Sequence, residues 1–359
     1  MMKHNIKIRS KPLPNLASLE KDWLTLEGIS KCHFFLSWLW IENWIRHHQN
    51  RKALIVLYFE DNNSLLGIAL ATRKHIKRMR FFKHDAAILY QTGDYLDNLT
   101  PEYTGIVCKK SNEKLLLESL IENTINGEFM WNTTTISRCE IEPIKRKTIN
   151  IITHPTFQVN LASIHTSQDK YLSKLSSNTR SQIKRSMKRY KNLYGDLQLI
   201  FPSDKNECIE FFYRMLFLHQ KYWRSKNKID AFYNNDLVLF HTDLINNGYP
   251  HNLYIVKVQA GTELIGYIYN FKYNKRIYNY QGGLCYSNDN KLKPGLVSHT
   301  LLINHHIKHG DDMYDFMAGD YQYKKSLCTE KSKLYTVAID KPGWKISIQK
   351  LIRIVLRKN

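Results

Sequence analysis

Arg276-Ile-Tyr-Asn-Tyr-Gln-Gly-Gly-Leu-Cys-Tyr286, Lys291-Leu-Lys-Pro-Gly295 with an apolar-periodic run to His309, and Tyr314-Asp-Phe-Met-Ala-Gly-Asp-Tyr-Gln-Tyr-Lys-Lys325 follow one another closely. Together they read as strand, loop, helix, strand and a charged turn. The first segment alternates aromatic and polar residues as a half-buried strand does, and Pro294 and Gly295 open the helix. The first backbone N–H groups of a helix have no partner inside it, and the helix dipole is positive there. Two lysines before this helix and a glycine that lets a ligand approach the backbone make its N-terminus an anion site, suited to a phosphate.

The chain upstream repeats a pattern. Ala53–Glu60 and Leu65–Thr72 flank the turn Asp61-Asn-Asn-Ser64 and predict a hairpin. His251–Gln259 and Glu263–Tyr273 predict a second around Ala260-Gly-Thr262, about 200 residues later, each with a glycine (Gly67, Gly266) early in its second strand. Before the first hairpin the periodicity predicts a buried Trp-rich helix over 34–45, and between the two a strand over 86–90, a helix over 112–124 and strands over 129–137 and 157–161. Helices follow over 168–175, 178–194, 205–225 (capped by Ser203 or Asp204) and 235–246 (ended by Asn247-Gly248), with a strand over 197–201.

The order Lys-Pro-Gly, helix, Gly310, Asp315-Phe316, Gly319-Asp320, Tyr323-Lys324 resembles the BioF2-like acetyltransferases of the GNAT superfamily. That group includes the CelD/BcsL proteins of cellulose biosynthesis, and the FemABX peptidyltransferases are more distant relatives. Ser177-Asn-Thr-Arg-Ser-Gln-Ile-Lys-Arg-Ser-Met-Lys-Arg189 matches the family's basic helix, and Leu218-His-Gln-Lys-Tyr-Trp223 its His-x-x-x-Trp segment. The resemblance covers roughly Phe157–Lys333 well and the first half loosely. It implies an α/β fold of two tandem GNAT-like (FemABX-like) units, each a mixed, mostly antiparallel sheet flanked by helices. The expected boundaries are 1–155 for an N-terminal unit, a degenerate copy in one reading, 156–340 for the acyltransferase domain, and 341–359 for a basic C-terminal helix.

Acyl transfer needs a phosphate cradle, groups that hold the thioester, and a route for the acceptor's proton. Lys291, Lys293 and Gly295 are the expected cradle for acetyl-CoA or another acyl-CoA. The strand over 278–284 is expected to splay from its parallel neighbour at 313–316, with Tyr280, Gln281 and Tyr323 beside the cleft and backbone N–H groups polarising the carbonyl. His219, Asp315 and Asp320 are the candidate bases. Each has a structural alternative: His219 anchoring its helix, Asp315 capping a turn, Asp320 pairing with Lys324 at i,i+4. Arg180, Lys184, Trp223 and Lys324 are the candidate substrate-binding residues. Arg180, Lys184, Lys188 and Lys191 share a helix face, which is either solvated or holds an anionic substrate.

The 53 Lys and Arg against 32 Asp and Glu give a net charge of +21. Such a field attracts CoA, nucleic acid, anionic lipid or an acidic glycan, although lysine-rich codon usage alone would also produce it. Arg73–Lys83 interleaves basic residues with Ile76, Met79, Phe81 and Phe82, a nucleic-acid surface or a solvated edge. The six cysteines have no C-x-x-C spacing, and the His47-His48 and His305-His306 pairs lack partner ligands, so neither a disulfide framework nor a metal site is expected. No segment reads as a signal peptide or approaches the roughly 20 apolar residues of a membrane span. The expectation is a cytoplasmic enzyme acting on an anionic small molecule or glycan precursor, with tRNA as the alternative partner. Residues 344–358 put Ile348, Leu351, Ile352 and Val355 on one helical face opposite basic residues. That face either lies on the inner membrane surface or packs on its own domain.

Overall fold

The computed structural model describes residues 6–78, 82–91, 99, 101–164, 168–228 and 232–343, with the side chains of 76–78, 82–84, 168 and 169 left aside. The expected C-terminal helix and most of the aromatic-basic stretch over 73–83 therefore lie outside the described side chains. The chain divides into two compact units, 1–154 with 334–359, and 155–333. The expected boundary at 340 moves to 333/334 because the last strand's second half pairs within the first unit.

In that first unit β1 (Lys7–Pro12), α1 (Leu16–Ile29), α2 (Trp38–His47), β2 (Leu54–Asp61), β3 (Ser64–Arg78) and β4 (Phe82–Leu89) precede β5 (Val107–Cys108), α3 (Glu113–Asn126) and β6 (Thr133–Cys139). The expected helix over 34–45 is broken at Ser37. Its hydroxyl accepts the Trp40 N–H and starts α2 afresh, leaving Phe34–Leu36 as a separate tight turn. The strand expected from Phe129 begins only at Thr133, because Phe129 and Trp131 stack on each other at 4.4 Å in the preceding turn. The sheet runs β1-β2-β3-β4-β6 and then the Leu334–Asp340 part of β13 (Glu330–Asp340). Every pair is antiparallel except β4 and β6.

The second unit begins within β7 (Ile149–Asn160) and continues through α4 (Gln168–Ser173), α5 (Ser177–Tyr194), β8 (Leu197–Ile200), α6 (Lys205–Ser225) and α7 (Asn235–Gly248). Then come β9 (Leu253–Ala260), β10 (Glu263–Tyr273), β11 (Arg276–Leu284), α8 (Pro294–Lys308), β12 (Met313–Ala318) and α9 (Gln322–Leu327). Its sheet order is β7-β12-β11-β10-β9-β8, again antiparallel except for one pair, β11 with β12. Asp204 is the residue that caps α6: it accepts the Glu207 N–H at 2.8 Å, while the Glu207 carboxylate returns to the Ser203 N–H.

Strand alternation sends side chains to two cores. Val256, Val258, Ile268 and Ile277 face Ile183 of α5 and Val297, Leu302 and Ile303 of α8. On the other face Tyr267 and Tyr269 meet Phe211 and Phe212 of α6. Each such buried side chain stabilises the fold by about 1.5–3 kcal/mol. Gly283 permits the close seating of α6, since a Cβ there would lie 2.3 Å from the Met215 carbonyl oxygen.

Candidate active site

The parallel pairing of β11 with β12 covers three positions only, Arg276–Met313, Ile277–Tyr314 and Tyr278–Asp315. Beyond Tyr278 the strands part. On its other edge β11 pairs Asn279 with Asn270 but Gln281 with Tyr269, so Tyr280 is an extra residue, a bulge that bends the strand where the gap opens. The backbone of 279–284 thus presents one edge without a β12 partner, between α6 and α8. Tyr280 turns to the α6/α7 face, against Phe271 at 4.7 Å and His241 at 5.1 Å, so it forms the wall of the bulge. Gln281 is half-buried on the same open stretch.

At the α8 N-terminus the Lys293 N–H donates to the buried Ser186 hydroxyl of α5 at 2.9 Å, and Pro294 supplies no N–H. This leaves the first-turn N–H groups at Gly295 and Leu296 for a ligand. Gly295 has room: a Cβ there would touch only Leu284, at 3.5 Å. Asp289 shapes the preceding loop, accepting the Lys291 N–H at 2.9 Å and the Arg189 guanidinium at 3.0 Å. These two, the backbone bond first, hold its carboxyl below the usual range. Lys291 is exposed and Lys293 half-buried beside this turn. Along α5, Lys184, Arg185 and Lys188 are exposed without a carboxylate partner among the described residues. Arg180 is half-buried and reaches the Leu172 carbonyl at 3.5 Å.

The candidate bases fare unequally. His219 is buried, and its Nε2 accepts the Trp223 indole N–H at 2.9 Å, so the i,i+4 pair binds its own helix together and the imidazole lone pair is already used. Asp315 is fully buried; its Oδ1 accepts the Met317 N–H at 2.7 Å and its Oδ2 lies 3.3 Å from the Arg276 guanidinium. It holds the β12 bulge. Asp320 is exposed and pairs with Lys325, not with Lys324 as the spacing predicted, because α9 starts only at Gln322. Lys324 instead points inward, its ammonium on the Ala318 carbonyl at 2.6 Å. Tyr323 is half-buried beside the gap, and burial pushes its phenol well up, which keeps the proton on oxygen through neutral pH.

Sequence reading missed His299. It lies one helical turn after Gly295, stacks on Tyr323 (ring centroids 5.5 Å, planes 8° apart) and meets the Tyr314 hydroxyl through Nδ1 at 3.0 Å. Burial, and next the Lys324 ammonium, push its pKa down to about 3, so the ring is neutral. Its i,i+4 offset from Gly295 was the available signal. Among the described residues no group of three or more His, Cys, Asp or Glu could hold a metal ion, and no helix is long and apolar enough to cross a membrane.

This geometry can be set beside known proteins. Residues 177–325 match the model of the acetyltransferase (GNAT) domain. The fold is similar to that of FemX (TM-score 0.53, 11% identity, 91% of this chain and 96% of that chain covered). It is also similar to the C-terminal domain of a putative lysylphosphatidylglycerol synthetase from Agrobacterium fabrum (0.52, 8%, 94% and 97%). A third such fold is L-PGS from Bacillus licheniformis (0.52, 9%, 95% and 96%). No curated protein matches the sequence. The chain thus has a GNAT/FemX-like fold, and the stretch of its second unit that matches the acetyltransferase (GNAT) domain model includes the parted strands.

Proposed function

We propose that the protein transfers an acetyl or other acyl group from acyl-CoA to an amine or hydroxyl of a sugar or amino-sugar precursor of a surface polysaccharide, on the cytoplasmic side of the membrane. The observation that carries the reading is that β11 parts from β12 beyond Tyr278, beside the α8 N-terminus. There the N–H groups of Gly295 and Leu296, with Lys291 and Lys293, suit a diphosphate. The backbone at 279–281 suits the amide groups of an extended pantetheine arm, whose thioester then reaches Tyr323. The acceptor attacks the carbonyl, the C–S bond breaks, and the leaving sulfur takes a proton from the Tyr323 phenol, which regains it through water from the proton the acceptor sheds. The raised pKa of Tyr323 keeps the phenol protonated at neutral pH, so it can hydrogen-bond the sulfur as charge develops there and cannot serve as the base. With His219, Asp315 and Asp320 all engaged by hydrogen bonds or ion pairs, the acceptor's proton leaves through water. The sugar class rests on the sequence resemblance.

A second reading has an observation of its own. The uncompensated Lys184, Arg185 and Lys188 on α5 suit a longer polyanion, and aminoacyl-tRNA would then be the donor. Calorimetry with acetyl-CoA at moderate salt, against the double variant Lys293→Ala/Gly295→Asp and with tRNA as competitor, separates the two. Saturable binding that the variant loses by tenfold or more, indifferent to tRNA, is the expected result. No heat with any acyl-CoA alongside tight tRNA binding would sink the CoA reading.

A further inference from the structure

Two exposed tyrosines, Tyr286 after β11 and Tyr321 after β12, follow the strands that part. Tyr286 lies two residues past β11 and is 59% exposed, yet it is not free in space: it stacks on Tyr222 of α6 with centroids 4.7 Å apart and planes 28° apart. Lys226 stands over the Tyr222 ring at 5.9 Å, and Lys228 over the neighbouring Trp223 at 5.8 Å. Neither lysine has a carboxylate partner among the described residues, so both charges are uncompensated. From the β12 side Tyr321, 53% exposed, approaches Tyr323 at 6.2 Å. The pKa of the Tyr323 phenol is raised by burial first, then by Tyr321 and Tyr286.

An exposed, ordered aromatic pair is costly to leave in water and gives a flat apolar face at fixed orientation. Two loose ammonium groups at its edge add an anion site. This face is distinct from the diphosphate cradle. α6 lies on β11 over Gly283, whereas α8 packs on the opposite side of the sheet with Ile268 and Ile277. A donor seated on the α8 N-terminus would leave the tyrosine pair for the molecule arriving from the other face.

We propose that Tyr222 and Tyr286 form the platform on which the acceptor's sugar ring stacks, and that Lys226 and Lys228 hold a phosphate on that sugar. The acceptor class is then a glycosyl phosphate, free or nucleotide-linked. The C–H face of the ring covers the tyrosines and directs an amine or hydroxyl toward Tyr323. This assignment rests on the acyltransferase reading above and names the other substrate.

Calorimetry on the full chain tests it with three phosphorylated probes, glucosamine 1-phosphate, UDP-N-acetylglucosamine and UDP, with unphosphorylated glucosamine and acetyl-CoA titrated separately. Both sugar probes are expected to bind the unaltered protein. Tyr286→Ala weakens them about tenfold, the range for one stacked ring, while Tyr286→Phe stays within about twofold and Lys226→Ala weakens them without affecting unphosphorylated glucosamine. Acetyl-CoA affinity remains unchanged in every variant, which shows that they are folded. The proposal is overturned if neither sugar probe binds, or if Tyr286→Ala binds them as tightly as before. It is also overturned if UDP alone binds as well as its sugar conjugate and depends on Tyr286, since the base and not the sugar would then occupy the platform. Loss of acetyl-CoA binding from the unaltered protein would bring down the donor reading instead, a separate readout.

Discussion

His299 sits fully enclosed under Tyr323 with its Nδ1 on Tyr314, and the enclosure itself keeps it uncharged. In the folded chain its pKa is about 3, against about 6.5 in the unfolded chain. Between those values the unfolded chain binds a proton that the native chain refuses. The histidine's contribution is therefore complete above pH 6.5 and is lost progressively as pH falls toward 3. His305, held down to about 4 first by burial and then by its histidine neighbours, acts in the same direction. Urea unfolding at pH 7.5 and 5.5 should show the protein losing stability on acidification, with His299→Gln losing less by about 1 kcal/mol. Equal losses would mean that His299 is not the neutral, buried group described. Much at this scale was legible before any coordinates. The four-residue spacing of His219 and Trp223 already places one ring above the other on a helix, and the hydrogen bond between them follows. The same arithmetic failed for Asp320 and Lys324, because i,i+4 holds only inside a helix and Asp320 precedes the first turn of α9.

At the scale of elements, the site depends on two departures from regularity, the bulge at Tyr280 and the irregular end of β12 between Asp315 and Ala318. Neither leaves a mark in residue alternation, which continues across both, so the strands were readable and their divergence was reachable only through family resemblance. Asp315 is the element that fixes β12, since one oxygen caps the Met317 N–H and the other faces Arg276. Met317 adopts φ +62°, a left-handed turn that a side chain other than glycine enters only with such support. Asp315→Ala should cost about 3 kcal/mol, because it removes the carboxylate beside a largely buried guanidinium and takes the acceptor from the Met317 N–H. Asp315→Asn, which keeps the cap and loses the charge, should cost distinctly less. Donor binding followed alongside thermal melting separates structure from chemistry. If both variants melt like the parent but lose transfer, Asp315 is the base after all, and the structural assignment fails.

For the whole molecule the question is how many donors one chain holds. The first unit repeats the layout of the second: β4 and β6 pair in parallel over Ala86–Leu89 and Thr133–Ile136, and α3 begins nearby as α8 does beside β12. Its β6 edge, however, is taken. Thr104 donates its N–H to the Arg138 carbonyl at 3.2 Å and its hydroxyl to Ser137, Glu102 pairs with Arg138, and the Tyr90 hydroxyl fixes Gly105 at 2.9 Å. The segment over 102–105 thus lies where an extended ligand arm would pair. The α3 N-terminus also carries a carboxylate of its own, Glu113 in its first turn, with Lys110 on it at 2.8 Å. A carboxylate there offsets the dipole and repels a phosphate. The expected stoichiometry is therefore one acetyl-CoA per chain, and Lys293→Ala/Gly295→Asp should abolish all of it. A stoichiometry of two, or a residual site that survives the double variant, would mean that the 102–105 segment yields to ligand and that the first unit is a working copy. Adding Glu102→Ala to the double variant sharpens the result. If its removal uncovers a second site, the segment acts as a plug over an intact cleft. If nothing appears, the acidic start of α3 is enough by itself to keep the first unit from binding a donor.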